Sequence, residues 1–152
     1  MLTGEQADIV DATIATWPDG AVLDSFVVRA TNRPGARDLA AAFEARLRRP
    51  LEAHPMPDLT LAFDNDALPW HTAVVVNGPD RAGVLSAVSS AFAASHVIVH
   101  SARIATEHGE VNDRFGVTDR FGRKLDSGGM ERVRAALTGG SSRRRFRKRS
   151  GR

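Results

Sequence analysis

TAVVVNGPDRAGVLSAVSSAFAASHV, residues 72–97, decides how this chain is read. An apolar, β-branched run stops at Asn77-Gly78-Pro79-Asp80-Arg81-Ala82-Gly83, and apolar residues then recur at helical spacing. The order is strand, tight turn, amphipathic helix. It puts Gly83 at the first turn of a helix, where unpaired backbone N–H groups and the positive end of the macrodipole receive an anion. A carboxylate is the expected guest. On the helix Leu85, Val88 and Phe92 form one stripe with Val84, Ala87 and Ala91 beside it, while Ser86, Ser89 and Ser90 are either solvated or small enough for close packing.

Working outward, residues 97–106 (VIVHSARIAT) read as a second strand, Glu107-His108-Gly109-Glu110 as a reversal, and residues 111–118 as a third strand with Val111, Asp113, Phe115 and Val117 on one face. A short last helix is expected over 129–137, stopped by Gly139 and Gly140. Upstream, residues 50–69 are rich in proline and acid, and read as a linker with one alternating run, 59–63. Before it, residues 36–48 place Leu39, Ala42, Phe43 and Leu47 on one helical face, and residues 9–28 form a hairpin about Trp17-Pro18-Asp19-Gly20.

An internal repeat organises these elements. Residues 11–16 (DATIAT) match 101–106 (SARIAT) at an offset of 90, and residues 20–28 match 109–117 at an offset of 89. The unit is strand, helix, strand, strand, helix, and only the second copy has its front half here. Short connections in that order favour a split βαβ, an α+β, ferredoxin-like (βαββαβ type) antiparallel sheet with the helices on one face. The expected division is an incomplete first repeat at 1–49, a linker with a short strand at 50–71, a complete second domain at 72–138 and a basic tail at 139–152. No strand follows Leu137, so the 72–77 strand needs an edge partner. The 59–63 run, the first hairpin or a second chain would each serve.

At this point the residues resemble a known family. Residues 77–85 (NGPDRAGVL), 102–106 (ARIAT), Gly109 and 113–119 (DRFGVTD) are similar to the ACT domain, whose turn usually runs Asp-Arg-Pro-Gly-Leu-Leu. Alanine here replaces the proline and valine the first leucine, leaving the glycine and polar turn intact. Two such units in tandem resemble the C-terminal regulatory region of the uridylyltransferase/uridylyl-removing family of nitrogen-signalling enzymes. The resemblance implies an amino-acid effector, glutamine-like, and a regulatory rather than catalytic chain, paired as a homodimer or joined to upstream catalytic domains.

The ligand-binding residues expected are Asn77, Asp80, Ala82, Gly83, Val84 and Leu85. Backbone N–H groups of 82–85 would take an α-carboxylate, and Asn77 with Asp80 would hold an amide or ammonium group. Each has a plain structural alternative: Gly83 as a strained turn, Asp80 as the helix N-cap, Arg81 as a solvated turn residue. A structural or dimerising fragment with an empty turn is therefore the second reading, and an enzyme the third.

Composition narrows the rest. The chain has 152 residues, 42% hydrophobic and 26% charged, enough for one ordinary domain or two very small ones. Cysteine is absent, which removes disulfides and thiolate-bound metals and fits a cytoplasmic protein. The net charge of +3 is local: seven of 21 basic residues lie in the last ten, and residues 1–142 carry 14 basic against 18 acidic groups, a net −4. That tail is read as a solubilising end rather than a contact for nucleic acid or an anionic membrane. His54, His71, His96, His100 and His108 show no metal-ligand spacing and read as surface or interface residues, and no G-x-G-x-x-G follows a strand. No cofactor, metal or catalytic residue is expected.

Overall fold

The computed structural model describes residues 7–16, 21–30, 35–47 and 54–140. In chain order these form β1 (Ala7–Thr16), β2 (Val22–Ala30), α1 (Ala36–Leu47), β3 (Thr60–Asp64), β4 (Thr72–Pro79), α2 (Val84–Ala94), β5 (Val97–Glu107), β6 (Glu110–Asp119) and α3 (Ser127–Thr138). The reversal expected at 17–20 and the basic tail beyond Gly140 lie outside the described residues.

One six-stranded antiparallel sheet runs β2-β1-β5-β6-β4-β3. Strands β4 and β5 flank β6, so α2 crosses over β6 to connect them, which is the split βαβ expected of a ferredoxin-like α+β fold. Alternation decides which face of the strands is buried. Val74 and Val76 of β4, Ala102 and Ile104 of β5, and Val111, Phe115 and Val117 of β6 all point into a core closed by α2 and α3. Phe92 of α2 meets Phe115 edge-on at 5.2 Å between ring centroids.

The segment read as a linker belongs to the fold. Met56 and Leu59 are buried in the core, and β3 pairs with β4 from Thr60 opposite Asn77 to Asp64 opposite Ala73. Of the three edge partners considered for β4, the 59–63 run is the one used, displaced by one residue. Asp64 ends this strand by accepting hydrogen bonds from Asp66 N–H (2.7 Å) and Ala67 N–H (3.0 Å), a side-chain turn of the kind aspartate favours.

Helix boundaries differ from expectation where capping wins over propensity. Asp126 accepts from Gly129 N–H at 2.6 Å, so α3 begins at Ser127 despite its Ser-Gly-Gly start. Gly139, with φ 73°, ends it. On α2 the buried face contains Val84, Ala87, Val88, Ser90, Ala91 and Phe92, whereas Leu85 is half-buried. Ser90 is thus one of the small packing residues, and its hydroxyl has no partner among the described residues.

The two repeats join through β1 and β5. The pairs are Asp11–Ala105, Ala12–Ile104, Thr13–Arg103, Ile14–Ala102 and Ala15–Ser101. Given the offset of 90, this register is symmetric under exchange of the repeats. The hairpins follow the same rule: Thr13 faces Ser25 in the first, Arg103 faces Arg114 in the second.

Candidate functional site

The turn after β4 forms as the sequence requires. Asp80 N–H donates to the Gly109 carbonyl at 2.8 Å, fastening the turn to the β5–β6 reversal. That reversal has His108 and Gly109 both at positive φ (54° and 80°), the conformation two-residue hairpins demand. Gly83 then takes φ 91° and ψ −1° immediately before α2. It occupies the N-cap position without a side-chain cap, so the capping role open to Asp80 is not the one it plays.

Without that cap, the first turn of α2 keeps donors to spare. Val84 N–H is spent on the Arg81 carbonyl (3.3 Å), and Ala87 N–H on that of Gly83 (2.8 Å). Among the described residues, the N–H groups of Ala82, Gly83, Leu85 and Ser86 have no protein acceptor. Of the expected donors, Val84 is the one removed, and Ser86 is the one added. The side-chain amide of half-buried Asn77 is likewise without a partner among the described residues, while the backbone carbonyl of Asn77 accepts from the Thr60 hydroxyl at 3.2 Å.

Part of the linker lies against this turn. The Met56 side chain reaches 3.7 Å from where a Cβ on Gly83 would stand, and Asp58 forms an ion pair with Arg81. Arg81 is therefore paired, although both partners are open to water and the pair contributes little stability. Nothing in the local pattern of residues 54–58 announces these contacts.

Asp113 is the electrostatic feature that the turn motif does not contain. It is only 1% exposed and accepts a hydrogen bond from Ala105 N–H at 3.1 Å. Burial pushes its carboxyl up to about 6, against the help of that hydrogen bond, and the negative charge of Asp80 adds to the rise. Asp24, its counterpart at the repeat offset of 89, is exposed instead. The signal was present in the alternation of β6, which sets Asp113 in line with Val111, Phe115 and Val117.

Away from the turn, His71 and His100 stack with ring centroids 4.4 Å apart, and His100 Nε2 lies 2.9 Å from the Thr118 hydroxyl. Desolvation, and then the neighbouring His71, hold His100 below the usual imidazole range. Among the described residues no group of three histidine, aspartate or glutamate side chains is placed to hold a metal ion, and no helix is long and apolar enough to cross a membrane. A cavity of about 480 Å³ lies between the β6–α3 connection and the end of α2, and none of the six expected ligand-binding residues lines it.

Comparison with known proteins bears on the same segment. The ACT domain family model matches residues 72–138. The chain is 33% identical over 141 residues to the bifunctional uridylyltransferase/uridylyl-removing enzyme of Rhodospirillum rubrum, covering 78% of this chain and 15% of that protein. Its counterparts in Azospirillum brasilense (32% identical, 82% of this chain, 16% of theirs) and Haemophilus influenzae (29%, 85% and 17%) are similar. The chain thus spans about a sixth of the length of these relatives. No solved structure matches it significantly. With the split βαβ order and the Gly83 turn, these matches identify residues 72–138 as an ACT domain, in a chain similar to the C-terminal ACT region of the uridylyltransferase/uridylyl-removing enzymes.

Proposed function

We propose that this chain is a regulatory, non-catalytic module that senses a small amino acid, glutamine-like, at the turn between β4 and α2. The observation that carries the reading is the set of unspent N–H groups on Ala82, Gly83, Leu85 and Ser86 at the positive end of α2. They receive the α-carboxylate. Asn77 offers an amide to the effector's side chain, and Asp80 offers a carboxylate to its ammonium group. Val84 lines the turn through its backbone only, since its side chain is buried. The ligand identity and the pairing, as a homodimer or beside catalytic domains, rest on the family likeness; the cytoplasmic setting rests on the absence of cysteine, and the reading of residues 1–49 as an incomplete first repeat on the internal repeat.

The test is an amide chemical-shift titration with glutamine, glutamate and alanine. Saturable shifts centred on 80–86 with glutamine, weakened at least tenfold by Asn77→Ala, are expected. Unchanged spectra with every amino acid would end the proposal. They would favour the second reading, a structural pairing module, for which the cover of Met56 and Asp58 over the turn is the supporting observation.

A further inference from the structure

The cavity of about 480 Å³ stands at the other end of the sheet from the Gly83 turn. Strand β4 runs from Thr72, beside Leu125 of the cavity wall, to Pro79, a span of roughly 23 Å. Its size suits a small molecule, and its lining is rich in cations: Arg120, Arg123, Lys124 and Arg132, with His96 beside them.

Both acids in that lining are committed to building the walls. Asp119 accepts from the backbone N–H groups of Phe121 (2.8 Å) and Arg123 (2.9 Å), and from the Arg123 guanidinium at 2.9 and 3.1 Å. Asp126 caps α3 through Gly129 N–H. Two of the cations are committed as well: Arg123 to Asp119, and Lys124 to the carbonyl of Asn65. Further backbone bonds, Asp119 N–H to the Arg123 carbonyl (2.8 Å) and Gly122 N–H to that of Asp119 (3.0 Å), close the connection into a tight loop, and Leu125 N–H is anchored on Thr72 Oγ1 at 2.8 Å.

What remains is charge without a counter-ion. Among the described residues neither Arg120 nor Arg132 has a carboxylate partner. Arg120 lies over the Phe121 ring at 4.7 Å from its centroid, a contact that holds the guanidinium while leaving its N–H donors unspent. That ring is 65% exposed, so the connection presents an aromatic platform and a cation together. Gly129 in the first turn of α3 borders the same space, its N–H already spent on Asp126.

We propose that this pocket binds a small oxyanion carrying two negative charges, a phosphate or a dicarboxylate, on the guanidinium groups of Arg120 and Arg132. Both groups are planar forks that pair such oxygens bidentately, and the four Arg and Lys charges of the lining against its two carboxylates leave a surplus of two, which matches a dianion better than a monoanion. The site is separate from the amino-acid turn and does not depend on it.

The experiment is calorimetric titration of the full chain with inorganic phosphate, succinate and acetate, in the parent and in Arg120→Gln, Arg132→Gln and Arg114→Gln variants. Saturable millimolar or tighter binding of phosphate or succinate is expected, with acetate at least tenfold weaker. Arg120→Gln and Arg132→Gln each weaken it fivefold or more, while Arg114→Gln, on exposed β6 surface, leaves it unchanged. The arms for phosphate and succinate tell the two sources apart. The basic tail is present in every variant, so binding that survives both pocket substitutions belongs to the tail and overturns the proposal, as does the absence of saturable binding.

Discussion

Thr13 of β1 and Arg103 of β5 face each other across the seam, and they are also equivalent positions of the two repeats. A residue can pair with its own counterpart only on a local twofold axis. The β1–β2 pair and the β5–β6 pair are therefore joined edge to edge about that point, and the continuous sheet follows from the symmetry of the register.

Substitution on this seam should be costly. Ile14 lies opposite Ala102 and packs, half-buried, against the core. Ile14→Asp brings an unpaired charge there and is expected to cost about 2–3 kcal/mol in urea unfolding. Ser25→Asp, exposed on β2, should stay within about 0.5 kcal/mol.

Asp113 makes stability depend on pH in an unusual sense. Its carboxyl is raised to about 6 in the folded chain from an ordinary 3.8, so between these values the folded state holds the proton more tightly than the unfolded one. This group's contribution therefore falls as pH rises from about 4 to 6, and above that the buried charge is a standing penalty. Asp113→Asn keeps an acceptor for Ala105 N–H and removes the charge. Denaturant curves at pH 4, 5, 6 and 7 should show the variant gaining on the parent as pH rises, by about 1–3 kcal/mol at pH 7.

The two turn glycines should differ in what they resist. Gly83 sits at φ 91° with ordinary room beside Met56, so Gly83→Ala costs conformational strain of about 1–2 kcal/mol. At Gly78, φ 153°, an added Cβ would stand 2.8 Å from Leu59 Cδ2 and 3.0 Å from the Asp58 carbonyl. Gly78→Ala must also displace backbone and is expected to lose more, about 3 kcal/mol or above. Thermal unfolding of the pair checks the order.

Leu59 gives the sharpest test of β3. At 2% exposed it fills the core beside Gly78, so Leu59→Ala should cost about 2–5 kcal/mol, as at a central core position. A loss below about 1 kcal/mol would mean that residues 54–64 act as a tether after all.

Sequence pattern alone determined the local elements and their kinship. The run from Val74 to Val76, the turn at Gly83 and the stripe from Val84 to Phe92 each state one structure, because alternation, positive φ and helical period are properties of short windows. The repeat likewise was legible before any contact was known. Tertiary structure alone decided what meets what. It chose β3 as the partner of β4, brought Met56 and Asp58 to the turn, buried Asp113 but not Asp24, and gathered Arg120 and Arg132 about one cavity. Those outcomes turn on the competition among distant segments for the same edge, core volume and water, which no short stretch of chain encodes.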